Sequence, residues 1–468
     1  MNQKTYQNSI FTDEFSGASF GDKRLTERLK KIVESVSASP SESFPEAMGS
    51  EGALEGTYRF LGNLRVTPDR ILAPHLVATA GRISKQQEVI IIHDTTVFSF
   101  LAESTRIGLY QMTKEKQSFN GHYALAVSND SSDQPLGIIG AHTYVRSGKK
   151  KRRSFKERAT DQSCESRRWM KLVEESESRL PQTVKPIHVM DREADFYQLF
   201  NFMSERDSRF VIRIFHDRKL ESEEGMFSVL KELPQVYERE VPLSKRKKKK
   251  LLDRERYNPA RNYRLAKLVF SACKVEIAPP SHLKFRGYQD SLSLKVVHVR
   301  EVDVPKGLTP VDWKLITTEN IDTVDEIISV VDTYRKRWII EEYFKALKTG
   351  CSFEKRQLES KKTLLNALAV FVPIAWRILL LRALSRTTPS AKASIALTPT
   401  QIRVLRATSK KTLPQSLTAE MALLAIARLG GHLKRNGLPG WQIIWRGYDK
   451  LLTLEQGWTA AIERCDLS

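Results

Sequence analysis

An α/β core flanked by two helical segments is the fold class this 468-residue sequence predicts. Three observations predict it. Strand-like β-branched runs alternate with helical periodicity between residues 88 and 215, a basic stretch with short strand patterns interrupts that alternation, and residues 1–72 and 373–468 read as helix alone. The length exceeds what one hydrophobic core usually organises, so several domains are expected.

In the first segment Leu25, Leu29, Ile32, Val33 and Val36 recur at helical spacing, and residues 51–61 form a second helix candidate. Residues 88–94 are a short β-branched run ending in an acid, which suits a buried central strand. Two more strands, 122–128 and 136–146, flank the turn-rich stretch 129–135 and complete a meander. There follow a helix at 158–180, a strand at 184–190 ending at Asp191, a helix at 193–204 and a strand at 209–215. The order β-β-β-α-β-α-β fits a ribonuclease-H-like core and sets Asp94 and Asp191 at the carboxyl ends of neighbouring strands. A β-rich insertion is expected at about 216–312, with strands at 269–277 and 291–304, and helix resumes near Thr323. The expected domains are therefore 1–72, 73–372 and 373–468.

Composition narrows the function. With 41% hydrophobic and 28% charged residues the chain is globular rather than disordered. Its 76 Lys and Arg against 55 Asp and Glu give a net charge of +21, which points to a polyanionic partner. No membrane partner is expected: the longest apolar run, 363–381, is interrupted by Asn366, Pro373 and Arg377 and reads as a buried helix pair. The N-terminus shows no secretory pattern, and the four cysteines have neither zinc nor disulfide spacing, so a reducing cytoplasm is the expected compartment.

The charge is clustered. Residues 141–160 carry eight Lys or Arg against one Glu, and residues 241–270 carry eleven against two acids. The second patch contains Lys247, Lys248, Lys249 and Lys250. Such runs are either solvated loops or phosphate-contacting ones, since clustered cations gain affinity by releasing counterions. Residues 1–80 are balanced, nine basic against ten acidic, so DNA contacts there require individually placed side chains.

At 100° per residue, Tyr334, Arg337, Glu341, Lys345 and Lys348 fall within roughly an 80° arc of one helix, opposite Ile339, Ile340, Tyr343 and Leu347. An ordinary amphipathic surface helix has the same pattern. The composition of this face is more pointed, because a carboxylate beside a phenol, a guanidinium and two ammonium groups can hold a metal and grip phosphate oxygens. Two strand-borne acids and one helix-borne acid are what two-metal phosphoryl chemistry requires, with Mg²⁺ as the hard cation of choice.

These residues carry a resemblance. His93-Asp94-Thr95-Thr96, Asp191-Arg192-Glu193-Ala194-Asp195 and the Y-x2-R-x3-E-x6-K array from Tyr334 to Lys348 resemble the DDE cut-and-paste transposases of bacterial insertion sequences, the IS-four family. Phe20-Gly-Asp-Lys-Arg-Leu, Glu55-Gly-Thr-Tyr-Arg-Phe and Ala425-Ile-Ala-Arg-Leu-Gly-Gly431 extend it over most of the chain. The resemblance implies metal-binding catalytic acids Asp94, Asp191 and Glu341, with two Mg²⁺ ions replaceable by Mn²⁺. It implies phosphate contacts from Tyr334, Arg337, Lys345, Lys348 and Arg213, and a base-stacking role for Trp313, which on burial grounds also reads as a core aromatic at a strand edge. The implied partners are transposon-end and target duplex DNA and a second copy of the chain. Two rivals stand beside this reading: a stand-alone metal-dependent nuclease of the same fold, and a non-catalytic DNA-binding relative.

Overall fold

The computed structural model describes residues 14–102, 105–146, 165–245, 249–250, 257–258, 262–281, 283–284, 288–433 and 437–465. The basic run at 149–153 and both Lys247 and Lys248 lie outside the described residues. The chain divides into two units, one of Met1–Cys164, Lys171–Val184 and Trp338–Ser468, the other of Glu165–Met170 and Lys185–Arg337.

The first unit opens with α1 (Lys23–Ala38), α2 (Phe44–Met48), α3 (Glu51–Gly62) and α4 (Pro68–Ile83). Each starts where a short polar side chain accepts an otherwise unpaired backbone N–H: Asp22 from Arg24, Ser43 from Glu46, Ser50 from Ala53 and Thr67 from Arg70. Leu29, Ile32, Val33 and Val36 of α1 are buried, as their spacing predicts. Two helices escape periodicity: α2 is five residues long, and α4 contains Pro74. Residue 72, the expected domain boundary, falls inside α4.

Next come β1 (Val89–Leu101), β2 (Tyr110–Thr113), β3 (Lys116–Ser128) and β4 (Pro135–Tyr144). β1 runs antiparallel along one edge of β3, while β2 and β4 share its other edge. The expected carboxyl-end position of Asp94 is corrected here: β1 continues for seven residues beyond it. Thr95, Thr96 and Val97 favour the extended backbone, and Phe98 and Phe100 keep burying the same face. Val89, Ile91, Ala124 and Ala126 pack with Ile83 of α4 and with Leu172 of α5 (Glu165–Ser178), so one face of this sheet is core. The opposite face presents Asp94 and its cross-strand partner Tyr123.

The second unit pairs β5 (Ile187–Met190) in parallel with β6 (Arg209–Ile214). From β6 the sheet proceeds antiparallel through β12 (Asp312–Thr317), β11 (Leu292–Val302), β10 (Arg264–Ile277) and β7 (Tyr237–Leu243). The strands expected at 269–277 and 291–304 are the inner pair of this β-rich insertion. α6 (Tyr197–Glu205), α7 (Met226–Glu232) and α8 (Val324–Arg335) accompany the sheet, and β8 (Lys249–Lys250) pairs with β9 (Tyr257–Asn258). The expected single helix through Tyr334–Lys348 is a second correction. α8 stops at Arg335, α9 spans Trp338–Lys345, and a π-helical turn occupies Ala346–Gly350.

Back in the first unit, α10 (Lys361–Thr387) is one helix where a pair is expected, with Pro373 inside it. It is long and apolar enough to cross a membrane, yet 89% of its most apolar window is buried in protein. That makes it a core helix, in which Asn366 Nδ2 donates to the carbonyls of Leu61 and Val66 and the Trp376 indole N–H donates to that of Pro135. α11 (Pro399–Thr408), α12 (Ala419–Leu429) and α13 (Trp441–Cys465) complete the unit. Gly430 and Gly447 let α12 and α13 touch backbone to backbone: a Cβ on Gly430 would lie 2.1 Å from the Ile443 oxygen.

Candidate active site

In the first unit the site begins on β1. Asp94 is 7% exposed, and its Oδ1 accepts the Thr95 N–H at 2.7 Å. The neighbouring Thr95 hydroxyl lies 2.9 Å from His122 Nδ1. Directly opposed residues of antiparallel strands point to the same side, so Asp94 shares its face with Tyr123. That face receives α9: Tyr343 and Phe344 pack on the Tyr123 ring with centroids 5.9 and 5.8 Å apart. Glu341, two residues before Tyr343, is thereby carried on the helix covering the Asp94 face of the sheet.

The cations of this unit follow. Lys345 Nζ stands 2.7 Å from Glu342 Oε1 and 5.2 Å from the Trp338 ring centre. Partial burial lowers its pKa, against the raising effect of Glu341. Lys348 reaches back over the sheet: its Nζ donates to the Val97 carbonyl at 2.5 Å and lies over Phe98. Tyr343 and Leu347, expected on the buried side, are buried.

The second unit holds the other half of the predicted residues. Asp191 follows β5 directly, and its Oδ1 accepts the Glu193 N–H at 2.9 Å, starting a short 3-10 turn. Asp195, the second acid of the same motif, is engaged elsewhere. Its Oδ2 accepts the N–H groups of Phe215 and His216 at 2.7 and 2.9 Å, and it pairs with Arg218. Arg213 on β6 donates to the Asp312 carbonyl at 2.9 Å, and its guanidinium lies 5.9 Å over Trp313. The Trp313 ring meets Tyr334 edge-on at 5.3 Å. Burial raises the Tyr334 pKa most, aided by Asp191 and opposed by Arg337 and Arg213. Tyr334, Arg213, Arg337, Trp313 and Asp191 are thus electrostatic or ring neighbours within one unit.

Trp313 is half-buried at the start of β12, and its flank is fixed by a pair the sequence did not signal. Asp312 contacts His298 Nε2 at 2.8 Å and Lys314 Nζ at 2.6 Å, with His298 the larger of the two influences holding its carboxyl well below the usual range. Also unforeseen is Glu342, which binds Arg382 and the indole N–H of Trp441. Among the described residues no three His, Cys, Asp or Glu side chains gather as a metal site. Lys249 and Lys250 form β8, apart from these groups in the chain order and the sheet.

An N-terminal helical segment, a β core with flanking helices and a C-terminal helical segment, in that order, are consistent with a ribonuclease-H-like fold of the DDE class. Comparison with family models agrees: residues 7–66 match a transposase DNA-binding domain, 156–370 a transposase DDE domain, and 373–464 a transposase Tn5 dimerisation domain. The chain belongs to the IS4-type DDE transposases with a Tn5-like dimerisation domain. It is a DNA-binding, DNA-cleaving and strand-transferring enzyme whose catalysis uses divalent metal in general terms. The dimerisation match supplies the module that a stand-alone nuclease would lack.

Proposed function

We propose that this transposase binds terminal inverted repeats, nicks one strand at each end, and uses the freed 3′-OH to form a hairpin across the duplex. It then reopens the hairpin and joins the element to target DNA by direct transesterification. Every step is a phosphoryl transfer, so positioning and electrostatics supply the catalysis. The observation that carries this reading is the packing of the Glu341 helix on Tyr123, the cross-strand partner of Asp94.

Asp94, Asp191 and Glu341 offer oxygen donors only, which suits two Mg²⁺ ions, with Mn²⁺ as substitute. Such ions, when held by these carboxylates, would supply Lewis-acid stabilisation of charge on the reacting oxygens. The protein's own groups do the rest. Tyr334, Arg213, Arg337, Lys345 and Lys348 hold phosphate oxygens beside the acids, and the Arg fork adds orientation that Lys does not. Two copies of the chain act on paired ends in the bacterial cytoplasm.

Trp313 separates this route from simple nicking. Hairpin closure bends the terminal duplex sharply, and a base flipped onto the ring offsets a few kcal/mol of unstacking. The half-buried ring is held by a T-shaped contact with Tyr334 and by the Arg213 guanidinium over it, which supports a fixed aromatic beside the phosphate-contacting groups of its unit. Trp313→Ala is expected to leave the first nick nearly normal while hairpin and released ends fall roughly tenfold or more. Time courses on denaturing gels resolve the three products. A proportional loss of all three makes Trp313 structural, and a wild-type enzyme that nicks without ever forming hairpins removes this route.

The lysine run has a plainer role: sequence-independent phosphate contact. Replacing Lys247, Lys248, Lys249 and Lys250 with Gln should weaken binding to every duplex alike and flatten its salt dependence. Lost discrimination between end and random DNA at an unchanged salt slope would contradict it.

A further inference from the structure

We infer that Glu342 is the positioning residue for Glu341 and that it draws this role from the dimerisation segment. The inference rests on the reading of Glu341 as one of the metal-holding acids. Glu341 and Glu342 are consecutive on α9, which is only eight residues long and passes into a π-helical turn at its C-terminal end. A helix of two turns does not hold its own orientation in water, so packing must set it.

On one side that packing is Tyr343 and Phe344 against Tyr123. On another it is the Glu342 carboxylate, which gathers three donors from three places. Lys345 Nζ approaches at 2.7 Å from the same helix, Arg382 pairs with it from α10, and Trp441 Nε1–H donates to it from the first residue of α13. The arrangement is compact: the Arg382 guanidinium lies 4.3 Å over the Trp441 ring, and the Arg382 and Glu342 side chains are 8% and 14% exposed. Adjacent helical residues stand 100° apart, so a fixed azimuth for Glu342 is a fixed azimuth for Glu341.

A second contact comes independently from the same helix. A Cβ on Gly350, at the end of the π-helical turn, would lie 3.1 Å from the Trp445 ring. A side chain there would push the indole back by a few tenths of an ångström, so the glycine keeps Trp445 against the turn carrying Lys348. α13 therefore braces the segment at both ends, through Trp441 at Glu342 and through Trp445 at Gly350. Arg382, Trp441 and Trp445 all fall within residues 373–464, the part matching the dimerisation domain. The adjacent carboxylates divide the work: Glu342 is anchored to α10 and α13, and the anchoring orients Glu341.

Groups that orient a metal-holding side chain commonly alter metal demand or rate by about 10- to 100-fold when removed. The test uses full-length protein and a labelled duplex carrying the terminal repeat that flanks the gene. Glu342→Gln and Trp441→Phe are compared with wild type, with Glu341→Ala as control. Trp441→Phe keeps a ring under Arg382 and removes only the N–H donor, so it decides the matter if Glu342→Gln does not fold.

Both variants are expected to bind the duplex as wild type does and to nick about 10-fold or more slowly at low Mg²⁺. Both should need several-fold more Mg²⁺ for half-maximal rate. A readout apart from turnover is the Mn²⁺ concentration at which the protein–DNA complex gains thermal stability, which should rise in the same order. A wild-type metal requirement in both variants, or a loss of nicking in proportion to lost binding, overturns the inference and leaves Glu342 a structural ion pair. Normal nicking by Glu341→Ala would instead overturn the acid assignment, and the positioning role with it.

Discussion

Asp94→Ala, Asp191→Ala and Glu341→Ala each abolish strand cleavage while end binding stays largely intact. The expected loss is at least about a thousandfold, on the order of 4 kcal/mol of transition-state stabilisation. Binding is spared because these acids act on the reacting groups, and removing negative charge beside phosphates does not weaken a phosphate contact. Two of the three also have local structural duties, since Asp94 accepts the Thr95 N–H and Asp191 that of Glu193. Asp94→Asn and Asp191→Asn keep an acceptor oxygen for those bonds and are expected to be as inactive as the alanine variants, with less loss of stability. Gel-shift and cleavage assays in Mg²⁺ check this. Near-normal cleavage by any one variant removes that residue from the site.

The parts legible in the sequence were those whose signal is local. Asp191 stands where a β-branched run stops and a turn begins, and β5 does end at Met190. Thr323 and Glu326 form a capping box, which is why helix resumption near Thr323 could be read directly. The sequence pattern puts Asp94 at a strand end because an acid usually closes a buried strand. Here the backbone amide of the next residue satisfies it, so the strand continues. The break between α8 and α9 was invisible for another reason: no Gly or Pro marks residues 335–338, and apolar positions resume on schedule after it.

Long-range partners were not legible at all. Glu342 meets Trp441 ninety-nine positions later, and Asp195 meets the amides of Phe215 and His216 from a different element. Their residue types are ordinary, and only the folded backbone brings them together. The motif Asp-Arg-Glu-Ala-Asp shows the consequence: two acids four apart look equivalent in sequence, yet Asp195 is 5% exposed and committed to Arg218 and two amides. Asp191 remains partly exposed at the turn.

Glu14→Ala should cost about 3–5 kcal/mol of stability, because it leaves a partly buried arginine and a buried imidazole without their anion. Glu14 is 2% exposed and His75 fully buried. Arg82 Nη1 donates to Glu14 Oε1 at 2.8 Å, and the Arg82 guanidinium lies 4.2 Å over the Trp376 ring. His75 Nε2 accepts the Ile138 N–H at 3.0 Å, so the ring proton sits on Nδ1 and is donated to Glu14. The imidazole is therefore neutral, consistent with burial lowering its pKa from 6.5. Glu14 is also lowered from 4.5: burial opposes the shift, and His75 and Arg82 together outweigh it. Both shifts have the same sign in pH. As pH falls below about 6.5 the unfolded chain takes up a proton at His75 that the folded chain refuses, and below about 4.5 it takes up a second at Glu14. Stability should thus decline from mildly acidic pH downward in wild type. In Glu14→Ala the carboxylate contribution is absent, and the decline near pH 4.5 should be shallower. Denaturant unfolding monitored by Trp fluorescence at several pH values measures both effects. A Glu14→Ala variant within about 1 kcal/mol of wild type at neutral pH would mean that water reaches Arg82 and His75 when the carboxylate is gone.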